Sequence, residues 1–276
     1  WTVADAASVL TFSGGLFGEK DVIKAGDGRV VLGAAADPTF NGGQTADFTI
    51  NDGTLEITNT SALGTIANGN LANVIVNTGG AFYFNGAAST LPNPLTLGGG
   101  TLSSGTANQI YSGAVNISGN SFINLRDSNS AVTTTTQRAV TLSGALSGGG
   151  DITLDSIDTV STGNQITGDL VITNAGNSGW SGDLNILRGT VTARTGNGDA
   201  LGSGAINIEF GKVEWEGAGG ATFNINKAVT IARAGGNAVA EWNIDRTSGS
   251  GVFTVDNGGA LTLGGAGGTG EIRVLL

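Results

Sequence analysis

The run Leu184-Asn185-Ile186-Leu187-Arg188-Gly189-Thr190-Val191 decides the fold, because the chain has already written it once, as Phe48-Thr49-Ile50-Asn51-Asp52-Gly53-Thr54-Leu55. Around this pair other segments recur in the same order. Ser13-Gly14-Gly15-Leu16 returns as Ser143-Gly144-Ala145-Leu146, Ser61-Ala62-Leu63-Gly64 as Asp199-Ala200-Leu201-Gly202, and Pro94-Leu95-Thr96-Leu97 as Ala228-Val229-Thr230-Ile231. The offsets of 130, 136, 138 and 134 residues drift only slightly. Self-similarity at a nearly fixed spacing is the mark of a repeat architecture. A stack of similar units is a scaffold before it is an active site.

The strand signal fills the space between these copies. Apolar-polar-apolar triplets such as Val74-Ile75-Val76, Leu95-Thr96-Leu97, Val115-Asn116-Ile117, Val140-Thr141-Leu142, Ile206-Asn207-Ile208 and Leu261-Thr262-Leu263 carry the period of a strand with one buried face. Glycine, asparagine, aspartate or serine punctuates them where the chain must turn. No window holds a 3.6-residue period, so the chain is all-β. Sandwiches and solenoids both have short, evenly spaced strands. The triplets are short for a sandwich, two-residue hairpin signals are few, and the copies differ by small loop insertions, as solenoid coils tolerate. A parallel β-helix of about 11–13 coils is therefore expected, at roughly 20–25 residues per coil. It should form one elongated body over residues 1–276, built of two related stretches at about 10–130 and 140–276.

Composition narrows the chemistry. Glycine supplies 49 of 276 residues, far above the usual share of about 7%, yet 39% of the chain is apolar, which argues against disorder. Cysteine, methionine and histidine are absent, so disulfides, thiolate or imidazole metal ligands and Ser-His-Asp or Cys-His catalysis are excluded. Net charge is −10 with only 12 basic residues, which speaks against nucleic acid as a partner. No apolar run is long enough for a membrane span. The chain starts at Trp1 without a basic, apolar leader and is read as a processed product or part of something longer. From Ile57 to Leu125 there is no charged residue; asparagine and threonine ladders that suit stacked strands are the first reading, and a neutral face that packs against something is the alternative.

A family resemblance sits on the second copy. Asn177-Ser178-Gly179-Trp180-Ser181-Gly182-Asp183, running on through Leu184 to Val191, with Asp199-Ala200-Leu201-Gly202 after it, resembles the autotransporter-associated β-strand repeat. That pattern runs roughly N-T-Y-S-G-x-T-x-I-x-x-G-T-L and is followed by A-L-G. Ser143 to Leu154 is similar to the glycine-rich strand that precedes it. Trp180 stands where the family commonly has tyrosine, a departure read as a packing variant. The resemblance implies a right-handed parallel β-helix of the passenger type, from an extracellular or bacterial cell-surface protein.

Three constellations bear on function. Trp215 and Trp242 alternate with Glu214, Glu216, Glu241, Asn243 and Asp245, so both indoles are expected inside, while Trp180, in a turn, is a candidate surface contact for glycans. Glu214, Glu216, Glu241 and Asp245 then face outward on one wall, the one place where a carbohydrate-active enzyme would find paired carboxylates. Lys212, Lys227 and Arg233 are expected to pair with them at the surface instead. Gly148-Gly149-Gly150-Asp151 and Gly196-Asn197-Gly198-Asp199 echo a calcium nonapeptide but lack its tandem repetition, so they read as turns. No catalytic, cofactor or metal residue is assigned. The reading is a non-enzymatic structural solenoid that stacks head-to-tail through apolar ends, with Trp1, Val3, Ile272, Val274, Leu275 and Leu276 as the interface candidates. The alternatives are a passenger or stalk segment of a longer adhesin and, behind it, an enzyme on a β-helix.

Overall fold

The computed structural model describes residues 1–37, 40, 46–64, 71–104, 108–125, 138–156, 168–194, 198–209, 211–218, 222–224, 227–234, 239–248, 254–256, 261–266 and 271–275. Among them there is no α-helix, and every pairing between strands is parallel. The chain winds as a β-solenoid with three walls. Wall one carries eleven strands, from Val9–Phe12 to Leu261–Ala266, one from each pass of the chain. Wall two carries eight, from Ser89–Leu91 to Glu271–Leu275, and wall three six, from Val22–Lys24 to Leu146–Ser147. Eleven passes agree with the lower end of the expected coil number. Ten spacings of ~4.8 Å make wall one about 48 Å long.

Wall one also joins the two related stretches. Ser121–Asn124 pairs with Ile152–Asp155 in the same ladder as the strands on either side, so the sheet runs through the junction without a break. Register explains the core. Alternation sends Leu55, Phe82, Leu102, Ile123, Leu154 and Ile186 inward, and these residues belong to one apolar cluster from Val30 to Ile231. Outward positions on neighbouring coils also stack, and asparagines exploit it. Asn77 Nδ2 donates to Asn51 Oδ1 and Asn207 Nδ2 to Asn185 Oδ1, each at 2.8 Å.

The duplicated sequence carries a duplicated turn set one wall on, since Asp47–Ile50 and Gly53–Ile57 lie on walls three and one but Leu184–Arg188 and Thr190–Ala193 on walls one and two. Gly53 and Gly189 hold φ of 59° and 116°, and Gly64 and Gly202 hold 96° and 69°. These left-handed turns strain any residue with a Cβ. Strand lengths depart from the expected three to five residues in the second stretch, where Gly211–Ala218 has eight and Val239–Ser248 ten. The uncharged run does not form the packing face offered as the alternative. Its strands Asn73–Asn77, Gly80–Phe84 and Ser89–Leu91 belong to three different walls. It is thus a neutral collar around the solenoid rather than a single packing face.

Wall three changes character past Ser147. The next coil contributes only a bridge between Gly148 and Trp180, the one after it a 3-10 turn at Gly198–Leu201, and strands resume as Thr222–Asn224 paired with Thr254–Asp256. The family-like motif occupies this interruption.

Candidate functional site: the outer face of wall two

Wall two places one outward residue from each coil in a column. The register stacks Thr90, Ile110, Thr141, Val171, Thr192 and Glu214, of which Val171 and Thr192 are covered, while Val140, Leu170, Val191 and Val213 of the adjoining column belong to the core. Along the first four of these strands, and closed by Arg194, lies a groove of about 560 Å³, lined by Ser89, Thr90, Asn108, Ile110, Ala139, Thr141, Asp169 and Val171. Its size falls within the range of small-molecule sites, about 300–1,000 Å³. Asn108 Oδ1 accepts the backbone N–H of Ala139 at 3.0 Å, which fixes one edge. At the far end the wall is charged and internally paired: Arg194 Nε lies 2.5 Å from Glu216 Oε2 and Lys212 Nζ 3.0 Å from Glu214 Oε1. Burial pushes the Asp169 carboxyl above the usual carboxylate range. Glu214 adds to this effect, while a hydrogen bond with Thr190 and the cations Lys212 and Arg194 oppose it.

Of the four carboxylates singled out by alternation, Glu214 and Glu216 thus sit where expected. Glu214 and Glu216 share the face opposite the fully buried Val213 and Trp215. Glu241 and Asp245 lie one coil on, in register with Lys212 and Glu216. Their side chains, like those of Trp242, Arg233, Ile272, Val274 and Leu275, lie outside the described residues, as does Leu276 altogether. Glu214 and Glu216 are each held by a cation, the arrangement of a solvated, ion-paired wall.

Other sequence expectations are corrected. Trp180 is not a surface residue: it is completely buried, and its indole N–H donates to Gly150 O at 2.9 Å. Lys227 is not a surface partner of carboxylates. It is 5% exposed and donates to the carbonyls of Leu201, at 3.0 Å, and Gly202. Trp1 and Val3 pack against the core, with the Trp1 ring 4.7 Å from that of Phe12 and 6.0 Å from that of Phe48. What this end exposes instead is Val9, Leu10, Phe17 and Ile23. Gly148 turns with φ of 102°, and Asp151 Oδ1 accepts the N–H of Asp183, as a structural turn requires. Among the described residues no group of acidic side chains is arranged to hold a metal, and no helix is long and apolar enough to cross a membrane.

Sequence reasoning missed the polar residues that hold the turns. The Ala-Leu-Gly turn of each copy leaves carbonyls inside, and a buried donor from the following coil meets them. In the first copy it is Asn93 Nδ2, which donates to Leu63 O and Ala72 O at 2.9 and 2.8 Å; in the second it is Lys227. The two occupy equivalent positions, each two residues before an inward apolar residue, Leu95 or Val229. Lys24 plays the same part nearer the start, donating to Ala25 O at 3.3 Å, Asp52 O at 2.7 Å and Gly26 O. The available signal was the offset of 134 residues between Asn93 and Lys227, which places both beside a duplicated turn.

This chemistry gives a pH dependence. Burial lowers the Lys227 pKa from 10.5 to about 8, against a smaller opposing effect of Asp199. Burial also lowers that of Lys24, against Asp52 and Asp27. Below about pH 8 Lys227 is protonated in both states, and the desolvation penalty is fully felt. Between about 8 and 10.5 the unfolded chain binds more protons, so stability rises with pH. Tyr111 acts oppositely. Its fully buried phenol is held neutral, and stability falls once the unfolded phenol ionises above about pH 10. Urea denaturation at pH 7 and 9.5 should therefore show a gain of about 2 kcal/mol at the higher pH from Lys227. The gain should shrink by more than half in Lys227→Asn, which copies Asn93. A flat profile in the parent chain would rule this out.

Comparison with known proteins follows the same lines. The chain is 30% identical over 250 residues to the Adhesin BmaC autotransporter of Brucella suis biovar 1 (strain 1330), an alignment that covers 84% of this chain and 7% of the adhesin. The chain therefore spans a small part of the length of the curated relative that it matches. No protein-family profile matches the chain. No solved structure matches it either.

Proposed function

We propose that the chain is a segment of the exported passenger of an adhesin-type autotransporter, displayed at the bacterial surface or released from it, with a structural rather than catalytic role. The observation that carries this reading is the alignment along 84% of the chain with an autotransporter adhesin. The physical support is the unbroken eleven-stranded wall, since each coil is hydrogen-bonded to the next and one apolar core runs along the axis. Such a body stays stiff without disulfides and extends a surface away from its anchor. The pairing of Glu214 and Glu216 with cations supports a non-catalytic wall.

Fusion of the chain between a secretion signal and an autotransporter barrel tests the proposal. An antibody tag within the chain is expected to be accessible on intact cells, with the solenoid resisting added protease. Retention of the folded chain inside the cell would overturn it.

End-to-end self-assembly is the second reading. It is favoured by the apolar cluster Val9, Leu10 and Phe17 at and beside the outermost strand of wall one, where Phe17 is 82% exposed. Sedimentation of the isolated chain separates the two. Stacking predicts concentration-dependent growth abolished by Leu10→Lys with Phe17→Ser, whereas a monomer at about 100 μM removes it.

A further inference from the structure

We propose that the groove on wall two binds a neutral oligosaccharide lying along the solenoid axis. The groove crosses the four strands from Ser89–Leu91 to Gly168–Ile172 and is closed by Arg194, and three spacings of ~4.8 Å give the strand-lined part a length of about 14 Å. A linear ligand several units long matches that shape. Chemistry then narrows the class. Hydroxyls of Ser89, Thr90 and Thr141 and the Asp169 carboxylate line it around the aliphatic surface of Ile110, which is 38% exposed, while Val171 is buried at its floor. Hydroxyl-binding groups set around an aliphatic patch suit a sugar, which presents hydroxyls at its edges and C–H groups on its faces.

Charge excludes polyanions. The guanidinium at the far end, Arg194, is engaged by Glu216, and Asp169 and Glu214 leave the neighbourhood acidic on a chain of net charge −10. Geometry disfavours an extended peptide. Such peptides bind by adding a strand to a sheet edge, and here the groove runs across the face of the sheet, at right angles to its open edge at Ser89–Leu91. The inference stands independently of surface display. Failure of display with saccharide binding intact would overturn the passenger reading alone.

The test uses the whole chain and four neutral probes, maltohexaose, cellohexaose, laminarihexaose and chitohexaose, titrated by NMR. A hyaluronan hexasaccharide and an uncharged octapeptide serve as comparators. At least one neutral probe is expected to bind saturably, with affinity falling at least ten-fold in Asp169→Ala and in Ile110→Glu, and unchanged in Glu19→Ala. Ile110 lies at the surface, so its variant keeps the fold, and matching thermal midpoints verify this for both. The proposal is overturned if no neutral probe binds at about 10 mM, if binding survives both substitutions, or if only the anionic or peptide probe takes the groove.

Discussion

Replacing Trp180 with alanine is expected to lower stability by about 3–5 kcal/mol, the range for deleting a large buried aromatic ring. The site explains why little relief is available. Trp180 is fully buried at the point where the ladder of wall three stops, and its ring fills the core there in place of a strand. It is fixed on several sides. Its indole donates to Gly150 O, its backbone N–H to Asn177 O at 3.0 Å, and its carbonyl accepts from Ser203 at 2.8 Å. Gly202 presses on it so closely that a Cβ there would lie 2.8 Å from the ring carbon Cε3. A cavity at this position cannot close without moving turns of two other coils. Trp180→Phe keeps most of the ring and loses the hydrogen bond, so about 1–3 kcal/mol is expected for the unsatisfied carbonyl. Guanidinium unfolding curves of the three proteins check the order. Equal midpoints for the parent chain and Trp180→Ala would show that the ring is not part of the core.

Trp180 also marks where reading the sequence reached its limit. Alternation placed Trp215 inside because Val213, Glu214, Trp215 and Glu216 lie in a regular strand, where facing follows from parity. Trp180 has glycine and serine on either side and makes only a bridge, so parity carries no information there. The buried lysines failed for another reason. Lys24 is the third residue of Val22-Ile23-Lys24, and parity puts it inside beside Val22, but charge argues for solvent. Carbonyls left inside by the turns reverse that preference, because each needs a donor. Coil number, the positive-φ glycines and the inward columns were legible, since all repeat with the strand or the coil. The groove was not. Its lining comes from strands 20 to 30 residues apart, and loop lengths alone decide which outward residues meet. The acidic wall beside it was legible because it needed one strand only.

Glycines supply the last and most severe prediction. Some of them turn the chain, but Gly144, Gly182 and Gly204 have no left-handed backbone and are required for space. A Cβ on Gly182 would lie 1.8 Å from Gly150 O, one on Gly204 2.0 Å from Gly182 O, and one on Gly144 1.9 Å from Gly113 O. Gly150, Gly182 and Gly204 therefore form a stack in which each coil rests on the backbone of the one before. Ordinary contact begins near 3.4 Å, so an alanine at 182 must push the coils apart by about 1.6 Å. The adjacent bonds do not stretch that far. Asp183 N–H to Asp151 Oδ1, Ile152 N–H to Asp183 O and Leu184 N–H to Ala205 O all stand at 2.9 Å. Losing even two of them inside the ladder costs about 2–6 kcal/mol, and valine at 182 adds a branched clash to that. Gly182→Val is expected to prevent folding of the second stretch, and Gly182→Ala to lower the melting temperature by at least about 4 °C. Gly14 is the control. No atom lies within 4 Å of its would-be Cβ and its φ is unexceptional, so Gly14→Ala should leave the melting temperature unchanged or slightly raised. If Gly182→Ala melts together with Gly14→Ala, the coils are not in backbone contact at this corner, and the glycine stack has no part in holding the solenoid's spacing.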